Sequence, residues 1–267
     1  MRQSSLTQHD FTVISNTQVA EGVWRMVFAS EVARSIEPGQ FMNFEVPGDG
    51  SHILRIPLSF SLADAAHGRV VIYYAVVGEG TGRLARMRPQ EASTLLGPCG
   101  NGWRLPADTS KRALLVAGGI GLPPVVAAAD LLAAAGVGFD VAIGLRTKDA
   151  LAPTLLQELE LFQDKDTQVR MATDDGSLGL HGFATQAAEQ LLSERDYGSI
   201  YTCGPQVMMA GVAKLAEERG IACQVSMERM MGCGFGACAC CNVALAAGGY
   251  ALCCQDGPVF DAQEVAW

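Results

Sequence analysis

The chain has 267 residues, 49% of them hydrophobic and 18% charged, and carries a net charge of −9. So much apolar material excludes a disordered chain, and an acidic balance without any Lys/Arg cluster excludes a nucleic-acid binder. The polar start MRQSSLTQHD has no apolar signal segment, and no apolar run reaches the roughly 18 residues that span a bilayer, so a soluble, cytoplasmic protein without a membrane span is expected.

Up to about residue 105 the pattern is short and β-like. Phe11–Ile14, Val23–Phe28, Gln40–Val46 and Arg69–Val77 alternate or run apolar, with Gly, Pro and Asp between them, which predicts an antiparallel barrel or sandwich. From about 111 the rhythm changes. Strands are expected at Ala113–Ala117, Phe139–Gly144, Gln168–Thr173, Ser199–Thr202 and Ala222–Val225, alternating with helices at Pro124–Ala135, Leu151–Phe162, Gly182–Leu192 and Gln206–Glu218. That alternation predicts a doubly wound parallel sheet covered on both faces. From Met227 the chain turns Gly- and Cys-rich. The expected division is a β-barrel domain at 1–107, an α/β domain at 108–226 and a small cysteine unit at 227–267.

Val116-Ala-Gly118-Gly119-Ile-Gly121-Leu-Pro123-Pro124 follows a strand and opens a helix. Bare backbone N–H groups there, with the positive end of a helix dipole, suit a pyrophosphate. The run is not a full G-x-G-x-x-G, and a tight βα turn without ligand is the lesser alternative from the motif alone. Thr202-Cys203-Gly204-Pro205 ends a later strand, on the side where ligands of such sheets lie, so Gly204 and Pro205 are expected at the same nucleotide. Gly78-Glu-Gly80-Thr81, taken singly, reads as a hairpin turn. Asp174-Asp175-Gly176 suits the ribose hydroxyls of NAD, whereas Arg146 and Lys148 would suit the extra phosphate of NADP; NAD is preferred. The four histidines, His9, His52, His67 and His181, are scattered and read as surface or structural groups.

Six of the nine cysteines fall between Cys233 and Cys254. Cys233, Cys238 and Cys241 have the C-x4-C-x2-C order of plant-type ferredoxins, and two tetrahedral irons need a fourth thiolate. Gly232, Gly234, Gly236 and Ala237 let the chain curl around inorganic sulfides. Zinc is the rival, though its paired C-x2-C knuckles fit this spacing poorly. The spacing selects Cys241 over Cys240 and leaves Cys253 and Cys254 open as the fourth ligand. Cys223 reads as a small core residue.

In order, R-x-P-x-S, G-x-G-T, G-G-I-G-x-x-P, T-C-G-P, C-x4-C-x2-C and C-x-D-G-P-V-F resemble the ferredoxin–NADP⁺ reductase superfamily. Within it the chain is most similar to the electron-transfer subunits of NAD-dependent (class 1B) dihydroorotate dehydrogenase, the PyrK family, over nearly its whole length. The resemblance implies FAD on the barrel, NAD on the α/β domain and a [2Fe–2S] cluster held by Cys233, Cys238, Cys241 and Cys254, the last chosen because it precedes Gln-Asp-Gly-Pro. It implies Ile56, Pro57, Leu58 and Ser59 along the flavin's phosphate and ribityl edge. Tyr73, Tyr74 and Ala75 would run beside its rings, with Gly80 and Thr81 at its pyrophosphate. Gly118, Gly119, Gly121 and Pro123 fall to the nucleotide, and Cys203 to the hydride path. The family writes Arg where this chain has Ile56, and Arg55, one residue earlier, points to the other face of a strand.

Hydride arrives as an electron pair and a two-iron centre carries one electron at a time, so flavin belongs between them. The resemblance implies an oxidoreductase subunit partnered with an FMN-containing catalytic subunit that oxidises dihydroorotate to orotate in pyrimidine biosynthesis, in a cytoplasmic heterotetramer. Two other readings are a reductase subunit of a different dehydrogenase or electron-bifurcating complex, and a zinc- or redox-sensing binding protein on a reductase scaffold. Ile56 and Met230-Met231 leave room for the first.

Overall fold

In the structure, a computed structural model, residues 6–48 and 50–267 are described. Seven strands form the first sheet: β1 (Thr7–Ala20), β2 (Val23–Ala29), β3 (Phe41–Phe44), β4 (Ile56–Ser59), β5 (Leu62–Asp64), β6 (Arg69–Ala75) and β7 (Ala92–Cys99). Their order is β4-β3-β7-β1-β2-β6-β5, and every pairing is antiparallel. The alternation of strands that bury one set of side chains explains the curl. On β6, Val70, Ile72 and Tyr74 enter the interior of this half-barrel, while Val71 and Tyr73 join the core shared with the next layer. Phe11, Phe28 and Phe44 meet edge-to-face there, their centroids 5.2–5.5 Å apart, a favoured geometry for aromatic rings.

Gly78–Thr81 is not the hairpin turn expected of it. It opens the short helix α1 (Glu79–Ala85), because Thr81 Oγ1 accepts from the N–H groups of Val77 and Gly78 and closes the first turn.

The second sheet contains β8 (Ala113–Gly118), β9 (Phe139–Leu145), β10 (Val169–Thr173), β11 (Leu180–His181), β12 (Ser199–Cys203) and β13 (Ala222–Ser226). All residues of β8 and β9 are buried, as continuous apolar runs of a doubly covered parallel sheet require. Helices α2 (Leu122–Ala134) and α3 (Pro153–Glu160) cover one face and pack toward the barrel. Helices α4 (Ala184–Glu194) and α5 (Gln206–Arg219) cover the other. The hairpin β14 (Asn242–Ala244) and β15 (Tyr250–Leu252) is flanked by the cysteines, Cys241 just before it and Cys253 just after it, and β16 (Val259–Asp261) then returns antiparallel to β13. The last strand thus completes the α/β sheet, giving the order β11-β10-β9-β8-β12-β13-β16. Phe41 and Cys99 of the barrel, Val225 of the sheet and Val243 and Cys253 of the hairpin share one continuous core, so the cysteine segment has no separate core.

A buried polar knot ties barrel to α/β layer. Glu158 on α3 pairs with Arg25 at 3.0 Å and accepts from Tyr73 Oη at 2.8 Å and Ser61 Oγ at 2.7 Å. No helix among the described residues is long and apolar enough to cross a membrane.

Candidate functional site: a nucleotide crevice beside a cysteine loop

The strand order reverses between β8 and β12, which are neighbours with Cys203 opposite Ala117. A crevice opens beyond the carboxyl ends of two such strands, and both predicted glycine turns lie in it. They are fitted to each other. A Cβ on Gly121 would overlap the Cys203 carbonyl, and one on Gly118 would lie 2.6 Å from Met208 Sδ and 2.7 Å from Pro205. Gly119 is different: its φ is +53° and nothing stands within 4 Å of the Cβ position. That residue leaves bare backbone facing open space at the head of α2, the cradle a phosphate needs. Pro123 lies buried in the first turn of α2, and Pro205 caps α5.

Cys203 is half-buried where β12 ends, and burial pushes its thiol up to about 12, against the smaller opposing effect of the Ser226 hydroxyl. It is a neutral packing and lining group at neutral pH. The loops after β9 and β10 meet farther along the same edge, where the Asp175 N–H donates to the Arg146 carbonyl. Asp175 accepts from the N–H and hydroxyl of Ser177, and that hydroxyl holds its carboxyl below the ordinary range.

On the barrel, β4 presents half-buried Pro57, Leu58 and Ser59. Ile56 is buried and lies against Gly80, its Cδ1 3.1 Å from the Cβ position there. Arg55 does not substitute for the missing cation. Its guanidinium donates to the carbonyls of Asn43 and Thr94 and to Thr94 Oγ1 at 3.0 Å. Instead His52 Nε2 comes to 3.3 Å of the Gly80 Cβ position, and His52 makes no hydrogen bond among the described residues.

The two tyrosines face opposite cores. Tyr74 is 1% exposed inside the barrel with its hydroxyl on Asn16, and Tyr73 is 3% exposed with its hydroxyl on Glu158. In this structure both rings are packed inside cores. Period-two alternation sends one to each core, and only the backbone running through Ala75 remains for a ligand.

The cysteine loop is arranged in two pairs. Cys233 and Cys238 face each other: the N–H of each donates to the other's sulfur at 3.4 Å, and the Phe235 N–H donates to Cys233 Sγ at 3.5 Å. Burial opposes ionisation of Cys233, yet the N–H groups of Phe235 and Cys238 bring its thiol down to about 7. Cys241 and Cys254 form the second, buried pair, and burial first, then the neighbouring Cys241, pushes the Cys254 thiol up to about 12. Cys253 turns away, donating to the Met227 carbonyl at 3.2 Å, and Cys240 is exposed. Among the described residues no three His, Cys, Asp or Glu side chains converge on a point that could hold a metal ion. Two sulfur pairs with N–H donors on the sulfurs suit two bridged irons, which take two thiolates each.

Two residues that sequence reasoning passed over hold this loop. Gln255 Nε2 donates to the Phe235 carbonyl at 3.1 Å, and Asn43 Nδ2 on β3 donates to the Cys233 carbonyl at 3.4 Å. Gln255 had a signal, since it adjoins a proposed ligand. Asn43 had none beyond being a polar residue in an apolar strand.

Comparison with known proteins agrees with this arrangement. Residues 228–266 match the family described as the iron-sulfur cluster binding domain of dihydroorotate dehydrogenase B. A curated relative from Geobacillus thermodenitrificans (strain NG80-2), the "Dihydroorotate dehydrogenase B (NAD(+)), electron transfer subunit", is 38% identical over 258 residues, covering 95% of this chain and 96% of its own. A protein of the same description from Fusobacterium nucleatum subsp. nucleatum is 34% identical over 262 residues, covering 96% of this chain and 97% of its own. Among solved structures, a chain from the NADH-dependent reduced ferredoxin-NADP oxidoreductase, described for flavin-based electron bifurcation, superposes with a TM-score of 0.83 at 27% identity, covering 100% of this chain and 92% of that one. The ferredoxin reductase in carbazole 1,9a-dioxygenase shares the fold at a TM-score of 0.69 and 20% identity, covering 83% of this chain and 68% of that one.

Proposed function

Because the chain belongs to the family of electron transfer subunits of dihydroorotate dehydrogenase B (NAD(+)), we propose that it relays electrons between NAD(H), FAD, a [2Fe–2S] cluster and a catalytic subunit that oxidises dihydroorotate to orotate. The observation that carries this reading is the two sulfur pairs beside a reductase framework whose glycine turns meet at the sheet's switch point. When bound, flavin exchanges a hydride's electron pair on one side and single electrons on the other.

In this reading Gly118, Gly119 and Gly121 receive the NAD pyrophosphate at the head of α2, with Pro123, Gly204 and Pro205 shaping the turn. Asp174 and Asp175 face the ribose. Cys203 lines the crevice as a neutral thiol that keeps water from the hydride path. Ile56–Ser59, the backbone at 73–75 and the Gly80–Thr81 turn hold FAD. Cys233, Cys238, Cys241 and Cys254 would hold the cluster, which would pass single electrons onward. The functional division is 1–107 for flavin, 108–226 for nucleotide and 227–267 for the cluster, although β16 of the last segment completes the sheet of the second. The partner is an FMN-bearing subunit, in a cytoplasmic heterotetramer. The likeness to the NADH-dependent ferredoxin-NADP oxidoreductase favours a second reading, service to a different oxidoreductase.

Isolation of the native complex tests the two readings. The first expects a co-purifying flavoprotein and dihydroorotate-dependent reduction of NAD⁺. Replacing Cys238 with Ser should abolish transfer to the partner and leave flavin reduction by NADH largely intact. A complex that passes electrons from NADH to another acceptor, with no response to dihydroorotate, would establish the second.

A further inference from the structure

Asn43 belongs to none of the motifs, yet it reaches from the barrel to the Cys233 carbonyl through a polar side chain buried to 1% exposure. On β3 it sits opposite Pro57 of β4, the strand expected along the flavin. Its amide nitrogen donates to the Cys233 carbonyl. The contact is matched from the other side: Gly234 has φ +75°, and a Cβ there would overlap Asn43 Nδ2. Arg55 donates to the Asn43 carbonyl and, more closely, to Thr94, which pins the backbone that carries the side chain. Asn43 Oδ1 has no hydrogen-bond partner. A buried amide with an unsatisfied oxygen costs stability, and the same free-energy cost would be avoided by an apolar residue, so the residue's worth lies in the contact that it makes.

We propose that Asn43 is a positioning residue that fixes the Cys233–Cys238 loop against the β3–β4 strand pair and thereby sets the separation and orientation of cluster and flavin. This rests on the relay reading of the preceding section. Removing the amide leaves the Cys233 carbonyl unpaired, while the barrel's other polar hold on the cysteine segment, Asn101 on the carbonyls of Asp256 and Gly257, stays in place beside the second sulfur pair. Neither the nucleotide crevice nor the Ile56–Gly80 contact involves Asn43, so hydride delivery to flavin is expected to be spared.

The test uses the full chain, reconstituted anaerobically, as wild type, Asn43→Ala, Gly234→Ala and the double variant. Rapid mixing with NADH follows the flavin and iron–sulfur absorption bands separately, and electron paramagnetic resonance records the reduced cluster. The expected result for Asn43→Ala is flavin reduction within about twofold of wild type, cluster reduction slowed about tenfold or more, as small misplacements of reacting groups produce, and a shifted resonance spectrum. Gly234→Ala, which pushes on the same contact from the loop side, should give the same pattern. The double variant should show less than the two effects combined, because the Cβ then meets no amide. Asn43→Ala with a normal rate ratio and an unchanged spectrum overturns the proposal, as does loss of flavin and cluster together in both single variants, which would make the contact one of general folding. A wild-type chain that takes up neither flavin nor iron would sink the relay reading itself, a distinct outcome.

Discussion

Ile56 stands where the resemblance led to the expectation of an arginine. Its side chain packs on Gly80, while Arg55 is committed to β3 and β7. On the proposed reading, the turn's N–H groups and His52, whose Nε2 is the one polar atom among the three nearest to the Gly80 Cβ position, are what is left to meet the flavin phosphate. Replacing His52 with Ala is expected to weaken FAD binding about fivefold, the worth of one ordinary hydrogen bond, in a fluorescence titration of the flavin-free chain; unchanged affinity would remove His52 from the site.

The buried thiols make a second prediction at the same scale. Burial pushes Cys99, Cys203 and Cys223 from the ordinary 9.0 up to about 12. Folding therefore favours the protonated thiols. Their contribution is complete below about pH 9 and is lost as pH rises toward about 12. Urea midpoints should fall through that alkaline window, and Cys223→Ala should make the decline shallower. A midpoint indifferent to pH there would mean that these sulfurs are hydrated. The sequence marked Cys223 as core, and the resemblance alone chose Cys254 over Cys253 through its Asp-Gly-Pro context. It could not reveal where Tyr73 and Tyr74 point, because both rings suit a flavin or a core and only the registration of β6 between two layers decides.

At the level of elements, the fit between the β8 and β12 turns separates two kinds of glycine. Gly121→Ala collides with the Cys203 carbonyl backbone and should cost about 2 kcal/mol of stability, a usual price for overpacking, along with NADH affinity. Gly119→Ala meets no atom within 4 Å; only its left-handed backbone is strained, at about 1 kcal/mol. Its methyl group nonetheless projects into the space assigned to the pyrophosphate. It should therefore lower NADH affinity much more than stability, and equal, small effects on both would place the nucleotide elsewhere. The sheet–helix alternation from 113 to 226 was legible because buried parallel strands and their covering helices differ in period. Strands β4, β5 and β7 were not, since short strands interrupted by Pro and Gly carry too few residues to show alternation. Helix α1 was hidden by its two glycines and the glycine that caps it, and its start depends on the Thr81 hydroxyl rather than on helix propensity.

Across the whole molecule, three predicted segments share continuous cores and are joined by specific polar contacts. Glu158 draws Arg25, Ser61 and Tyr73 into one buried knot between barrel and α/β layer, and Asn43 joins barrel to cysteine loop. Composition and motif order indicated which cofactors such a chain would hold. They could not indicate that the cysteine segment lacks its own core, because that depends on β16 pairing with β13 across more than thirty intervening residues. A chain built this way has its nucleotide, flavin and cluster sites on one framework, as an electron relay requires. Stepwise anaerobic titration of the purified protein with NADH tests this most directly, with flavin absorption, cluster resonance, iron and acid-labile sulfide measured on the same samples. The account predicts iron and sulfide in about equal amounts, bleaching of the flavin and appearance of a reduced two-iron signal. Stoichiometric zinc, or iron that stays oxidised while flavin is fully reduced, would contradict it.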